Sequence, residues 1–337
     1  ARGRCELMVL SGFARAFINQ CQGGFPVTEG RPFARLADVL GSDEGSVLDL
    51  VRSLLDAGQL SRFGPIYDAS RLGGGQTLAA LSAPADRFAD IAAQVNALPA
   101  VAHNYRREHA LNMWFVIAAP TPDGVDTALR EISKVTGLRV YNFPKQHEFY
   151  LGLWLALDEQ GLVDTVPVPP AYQPQHAAHT MDAVDYRIIA ATQAGLPLVE
   201  EPVVELAAQL GLTPEELATR LQTMLDCGAI RRIGAVPNHY RLGLRGNGMT
   251  VWDVPDDIAI ELGERIGALD FVSHSYLRPR YPGVWPYNLF AMVHGRGRDE
   301  VSAKAERVAA ILGPHCRAHD VLFSSEVLKK TGLRLAA

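Results

Sequence analysis

Apolar residues recur every three or four positions through PFARLADVLG (32–41) and SDEGSVLDLVRSLLDAGQL (42–60), the spacing of helices that bury one face. Gly41 supplies a helix stop, and Ser42 a candidate N-cap ahead of acidic residues. PVVELAAQLG (202–211) and LTPEELATRLQTMLDCGAI (212–230) repeat the pattern, with Thr213 as cap and Pro214 at the first helical position. Helix, short turn, helix, glycine and a short β-pair make a winged helix-turn-helix pattern. Each pair of helices is followed by alternating strands and helices. The first set predicts strands at 77–83, 101–108, 111–119 and 138–144, with helices at 85–98 and 124–136. The second predicts the same order at 249–254, 256–267, 270–278, 286–294, 297–312 and 316–325. The order βαββαβ is ferredoxin-like.

The two sets are copies. LLDAGQLSRFGPIYDASRLG (54–73) is echoed by MLDCGAIRRIGAVPNHYRLG (224–243). Gly41, Gly58, Gly64 and Gly73 match Gly211, Gly228, Gly234 and Gly243 at an offset of 170. After a slip of one, His103-Asn-Tyr105 matches His274-Ser-Tyr276. A long-period repeat means two copies of one domain-sized unit. The expected fold class is α+β, a tandem duplication of a winged helix-turn-helix and a ferredoxin-like βαββαβ domain. The expected divisions are an N-terminal extension or helix (1–24), a first winged helix-turn-helix (25–73) and a first ferredoxin-like domain (74–158). A Pro-rich linker (159–181), a second winged helix-turn-helix (182–243) and a second ferredoxin-like domain (244–337) follow.

Composition adds little against this picture. The 337 residues are 48% hydrophobic and 20% charged, enough apolar material for several cores. The longest apolar runs, such as YLGLWLAL (150–157), are too short to span a bilayer, so no membrane partner is expected. The first residues lack the continuous apolar core and small-residue cleavage site of a signal peptide. Cys5, Cys21, Cys227 and Cys316 form no CxxC pair, which signals neither a zinc site nor a disulfide framework and points to a reducing cytoplasm. A net charge of −5 weighs against generic DNA binding.

A winged helix-turn-helix followed by βαββαβ resembles the Lrp/AsnC family of regulators. The helix that would enter the major groove is nevertheless acidic, with Asp43, Glu44 and Asp49 against Arg52, and Glu215 and Glu216 against Arg220. DNA affinity rests on neutralising phosphates, so no DNA partner is expected. HNYRREHALNMWF (103–115) and HSYLRPRYPGVWPYNLFAMVHG (274–295) resemble the two signature stretches of the sirohaem decarboxylases, a narrower Lrp-like group. In many of those enzymes the signatures sit on separate, paired subunits. Both lie on this chain, which therefore resembles a natural fusion of the two.

The resemblance implies a carboxy-lyase that removes two acetate carboxyls of sirohaem to give didecarboxysirohaem, on a route to haem d-type cofactors or haem. It implies no cofactor, since the iron travels with the substrate. Sirohaem carries eight carboxylates around a flat macrocycle, and the signature stretches offer matching groups. Tyr105, Tyr276 and Trp285 are candidate walls, with Trp114 and Phe290 read as core. Arg106, Arg107, Arg278, Arg280 and Lys145 are candidate carboxylate binders, and Arg231, Arg232 and Lys329 further members of the rim.

His103, His109 and His274 are the candidate catalytic groups and equally the candidate axial ligands to the substrate iron; no metal of the protein's own is expected. His109 belongs to copy one alone, where copy two has the longer PRYPGVWP, which favours it for a role one site performs. Asn112 and Asn288 match across the copies and read as strand supports. An internal pseudo-dimer is expected, with a homodimer open. The alternatives are an Lrp/AsnC-type transcription regulator and a non-catalytic tetrapyrrole sensor or carrier.

Overall fold

The computed structural model describes residues 10–68, 70–172 and 177–330; the expected N-terminal segment before residue 10, with Cys5, lies outside the described residues. Ser11 accepts from the Ala14 amide and caps α1 (Gly12–Gln20), which buries Ala14, Phe17 and Ile18. Gly41, at φ 64, closes α2 (Pro32–Leu40), and Asp43 rather than Ser42 caps α3 (Glu44–Asp56). Phe17 and Ile18 pack in the same core as Phe33, Val47 and Val51. The first domain is thus a three-helix unit that starts with α1. The helix expected within 1–24 is α1, and it packs into the core of the first winged helix-turn-helix instead of standing apart as an extension.

The wing departs from expectation in a way that fuses the halves. Among the described residues, β1 (Leu60–Tyr67) has no partner strand in its own copy. It pairs antiparallel with the second copy's equivalent, with Gly64 opposite Gly234. A Cβ on Gly234 would sit 2.4 Å from the Cys21 carbonyl oxygen, so the strand can run there only as glycine.

The first ferredoxin-like unit is β2 (Gly75–Leu81), α4 (Phe88–Ala97), β3 (Val101–Arg107), β4 (Met113–Ala119), α5 (Pro122–Thr136) and β5 (Tyr141–Phe143). Then come β6 (His147–Leu151), β7 (Trp154–Leu157) and β8 (Val163–Val166). β7 and β8 form a hairpin whose Leu155, Leu157 and Val163 are buried in the winged-helix core. Asn19 and Gln22 of the first domain bond the backbone of Leu157 and Leu155. The expected linker over 159–181 is therefore corrected: it starts as a docked strand.

The second copy is α6 (Ala183–Thr192), α7 (Pro202–Leu210), α8 (Pro214–Asp226), β9 (Ile230–Pro237) and the one-turn α9 (His239–Leu242). It continues with β10 (Gly246–Asp253), α10 (Ala259–Gly267), β11 (Val272–Leu277), β12 (Leu289–Gly295), α11 (Arg298–Leu312) and β13 (Ala318–Lys330). β9 is the strand that pairs with β1.

The large sheet runs β5-β2-β4-β3-β13-β10-β12-β11-β6. Each copy thus keeps the βαββαβ sheet order with its second strand outermost. β13 pairs with β10 through Ala318–Phe323, then with β3 of the other copy through Ser324–Lys330. β5 and β6 perform the same exchange for copy one, β5 on β2 and β6 on β11. Pro144 interrupts them, since it offers no N–H to a ladder. Exchange of both fourth strands makes the halves an internal pseudo-dimer. Helices α4 and α5 cover one outer face and α10 and α11 the other. Trp114, Phe143, Met249, Val251, Trp285, Phe290 and Leu322 pack together where the two copies' halves of this sheet meet as the two sheets of a sandwich.

Candidate functional site

Strand alternation decides which signature side chains meet. Along β3 the residues His103, Tyr105 and Arg107 share the inner face, as do His274, Tyr276 and Arg278 along β11. All six line one cavity of about 480 Å³ between the sheets. Trp114, Val116, Met249, Phe290 and Met292 form its apolar walls, and Ile66, Tyr67, Asp68, Arg231 and Arg232 reach it from the wing strands.

Arg107 and Arg278 are each 7% exposed. Arg107 Nη1 donates to Leu322 O at 2.5 Å, and Arg278 Nη1 to Phe143 O, so each is held by the exchanged fourth strand of the other copy. Their Nε atoms have no hydrogen-bond partner, nor does that of Arg232. Burial pushes all three guanidiniums down to about 10. None of the three has a carboxylate partner among the described residues. Arg231 and Lys145 differ. Arg231 pairs with Asp68 and with Glu148 at 3.4 Å, and Lys145 with Glu148 at 2.7 Å. Lys145 and Lys330 also line the cavity.

Burial, reinforced by Lys330, pushes His103 down to about 4. Burial, with Arg231 next, does the same to His274. Both are neutral imidazoles at neutral pH. Burial also drives the Tyr105 phenol up to about 12 and raises Tyr276 further. Two histidines the sequence reading did not select join them. His239 is pushed down to about 3 by burial, and His294 is lowered strongly by burial and by His239. Their rings lie 5.1 Å apart, and both line the cavity with Asn247 and Tyr240. Their sequence signals are divergence between copies, with Ala69 where copy two has His239 and Ala118 where it has His294, and, for His294, a place inside the 274–295 signature stretch.

Four selected residues lie off the cavity. Arg106 points to the outer face, over Phe88 at 4.4 Å and 3.9 Å from Glu326. The same period-two alternation that places Arg107 inside places Arg106 outside. Arg280 lies beyond the end of β11 and binds Asp253 at 2.7 Å, Asp256 and two backbone carbonyls. His109 sits in the β3–β4 turn, where its Nδ1 accepts from Leu111 N and its ring meets Trp285 edge-on at 5.3 Å. Trp285 is wholly buried among Trp114, Phe143 and Phe290, and carries no cavity surface. The copy-two insertion thus plugs one end of the sandwich, and the asymmetry around His109 is one of packing. Trp114 and Phe290, expected as core only, are buried but turn one side to the cavity.

Lys329 donates to Asn96 O and Leu98 O, and its neighbour Lys330 takes the cavity position. Asn112 clamps Ala83 by both backbone groups, and Asn288 does the same to Val254, as expected of strand supports. In the acidic helices, Arg52 pairs with Asp49, and Arg220 pairs with Asp182, Asp185 and Glu216. That leaves the helices no free positive face for phosphates.

The family model described as AsnC-like ligand binding domain matches residues 71–150 and 241–329. The model described as Siroheme decarboxylase NirDL-like HTH domain matches 14–60 and 185–231. The Siroheme decarboxylase NirDL subunit of Paracoccus denitrificans is 31% identical over 340 residues, 98% of this chain and 97% of its own length. The Siroheme decarboxylase NirH subunit of Paracoccus pantotrophus is 61% identical over 154 residues, 46% of this chain and 96% of its own. The crystal structure of the siroheme decarboxylase NirDL in co-complex with an iron-uroporphyrin III analogue matches with a TM-score of 0.69 at 29% identity. It covers 95% of this chain and 92% of that one.

Proposed function

This chain belongs to the sirohaem decarboxylase family and decarboxylates sirohaem as a carboxy-lyase, and we propose that the cavity between its sheets takes carbon dioxide from two acetate arms of that substrate. The observation that carries the site assignment is the set of buried guanidiniums at Arg107, Arg278 and Arg232, none with a carboxylate partner among the described residues. A buried charge without a counter-ion costs stability, and a polyanionic ligand supplies the counter-ion. Arg binds carboxylate in a planar, two-pronged fashion and stays charged when buried, which suits it to hold the arms that are kept.

The apolar walls of Trp114, Phe290, Met249 and Met292 suit the macrocycle. An acetate arm set against them loses its hydration, which favours loss of neutral carbon dioxide. The C–C bond breaks, its electron pair passes into the conjugated ring, and one proton added to the methylene carbon gives methyl. The ring is its own electron sink, so no further cofactor is called for. His103 and His274 are the candidates for handling the proton. Carboxylates arriving beside them offset the desolvation that keeps them neutral and raise their affinity for a proton. Both halves of the cavity come from one chain, so a second copy is not needed to complete it. The buried free thiols of Cys21 and Cys227 fit a cytoplasmic setting.

The test is anaerobic incubation of the protein with sirohaem, followed by mass spectrometry of the extracted tetrapyrrole. A product lighter by two CO₂ is expected. Sirohaem bound but recovered intact would refute turnover and leave a carrier or sensor.

A further inference from the structure

His103 and His274 hold equivalent places in the two copies, yet their surroundings behind the cavity differ. Ser273 Oγ lies 2.7 Å from His274 Nδ1 and 2.7 Å from His294 Nε2. His294 Nδ1 in turn lies 2.5 Å from Asn247 Oδ1. Ser273, His294 and Asn247 are 2%, 3% and 5% exposed, so water does not compete for these bonds. The three come from adjacent strands: Ser273 from β11, His294 from β12 and Asn247 from β10. Of the two imidazoles in this chain of groups, His274 is the one on the strand that also carries Tyr276.

Copy one has none of it. Ala102 precedes His103, Ala118 replaces His294 opposite the first strand, and Gln76 replaces Asn247. Nδ1 of His103 is buried without a hydrogen-bond partner.

Donor and acceptor chemistry gives the relay a direction. An amide oxygen only accepts, so His294 donates from Nδ1 and its Nε2 is the lone pair. That lone pair takes the Ser273 hydroxyl proton, which leaves Ser273 Oγ to accept from His274 Nδ1–H. The remaining His274 nitrogen, Nε2, is then a lone pair. The amide orientation fits the site: Nδ2 of Asn247 is left unpartnered beside the cavity, where a carboxylate-bearing ligand offers acceptors alone. This step rests on the functional reading above.

We propose that Ser273, His294 and Asn247 are positioning residues that hold the His274 proton on Nδ1, so that Nε2 faces the bound tetrapyrrole as the lone pair that takes up and hands over the reaction's proton. The two signature histidines therefore divide their work. His274 has a fixed ring and a fixed tautomer, whereas His103 is free to take either.

The test is ¹⁵N-edited NMR of the histidine rings in the full chain, with sirohaem turnover measured on the same proteins. His274 is expected as the Nδ1–H tautomer in the wild type, and as a mixture in Ser273→Ala. Turnover number should fall roughly 10- to 100-fold in Ser273→Ala with little change in KM, the range seen for groups that orient an active-site histidine. Ser273→Thr, which keeps the hydroxyl, should restore both the tautomer and the rate. An Nε2–H tautomer in the wild type, or an unchanged tautomer in Ser273→Ala, overturns the proposal. The NMR needs no substrate. A wild type with the expected tautomer that fails to act on sirohaem would therefore overturn the functional reading while the relay stands.

Discussion

Replacing Arg107 by Met should make the unliganded protein more stable and the liganded one weaker. Arg107 is buried with one backbone acceptor, Leu322 O, and no carboxylate partner among the described residues. Burial lowers it to about 10, and each pH unit of such a drop is worth 1.36 kcal/mol, so holding this charge costs the empty fold ~3 kcal/mol. A base whose folded value lies below its unfolded one carries that penalty at every pH below the folded value. The penalty fades only as pH rises through it. A measurement at neutral pH therefore sees all of it. Met fills a similar length without charge and gives up one hydrogen bond worth about 1 kcal/mol, which leaves a net gain of about 1–2 kcal/mol. Urea unfolding of Arg107→Met against wild type reads this directly.

The same variant should lose a charge-assisted bond to substrate, about 1.5–3 kcal/mol, or roughly 10- to 100-fold in sirohaem affinity. Arg278→Met should behave alike, since its anchor at Phe143 O is the equivalent one. A Met variant destabilised by more than about 1 kcal/mol would mean that the guanidinium serves the fold, and unchanged affinity would mean that it does not meet the substrate. Either result refutes the reasoning.

Three further outcomes are expected. As pH falls from 6.5 toward 4, the unfolded chain takes up protons at His103, His239 and His274 that the empty folded protein refuses, so stability should fall by up to about 1.4 kcal/mol per pH unit for each. Unfolding across that range checks it: His274→Gln should reduce the slope by one histidine's share, and an unaltered slope would contradict the assignment. Gly234→Ala should destabilise by about 3 kcal/mol or more in urea unfolding, against less than about 0.5 kcal/mol for Gly30→Ala, whose Cβ meets nothing within 4 Å. His109→Ala and Arg280→Ala should lower thermal stability yet bind sirohaem as wild type does, because neither lines the cavity; a loss of binding in optical titration would restore them to the site.

The sequence by itself determined the duplication, the order of elements within each βαββαβ unit and the two strands that carry the site. Hydrophobic periodicity and the Gly41/Gly211 stops are local signals, and local signals survive in one dimension. It also marked His103, Tyr105, Arg107 and their copy-two equivalents, because HxYxR recurs with a change only between its fixed positions. The alternation rule could have set Arg106 aside at that stage, since neighbours on a strand face opposite ways.

Tertiary structure alone decided the rest. Which strands pair across copies depends on contacts more than a hundred residues apart, as between β1 and β9, and no local pattern encodes them. The role of the copy-two insertion reversed for the same reason. PRYPGVWP reads as a functional divergence, but packing puts Trp285 between two sheets that the sequence cannot bring together. His294 and Asn247 show the other side of this. Each is an unremarkable polar residue in its own strand. They become a relay to His274 only because strand order lays β10, β12 and β11 side by side and burial keeps water from competing for their bonds.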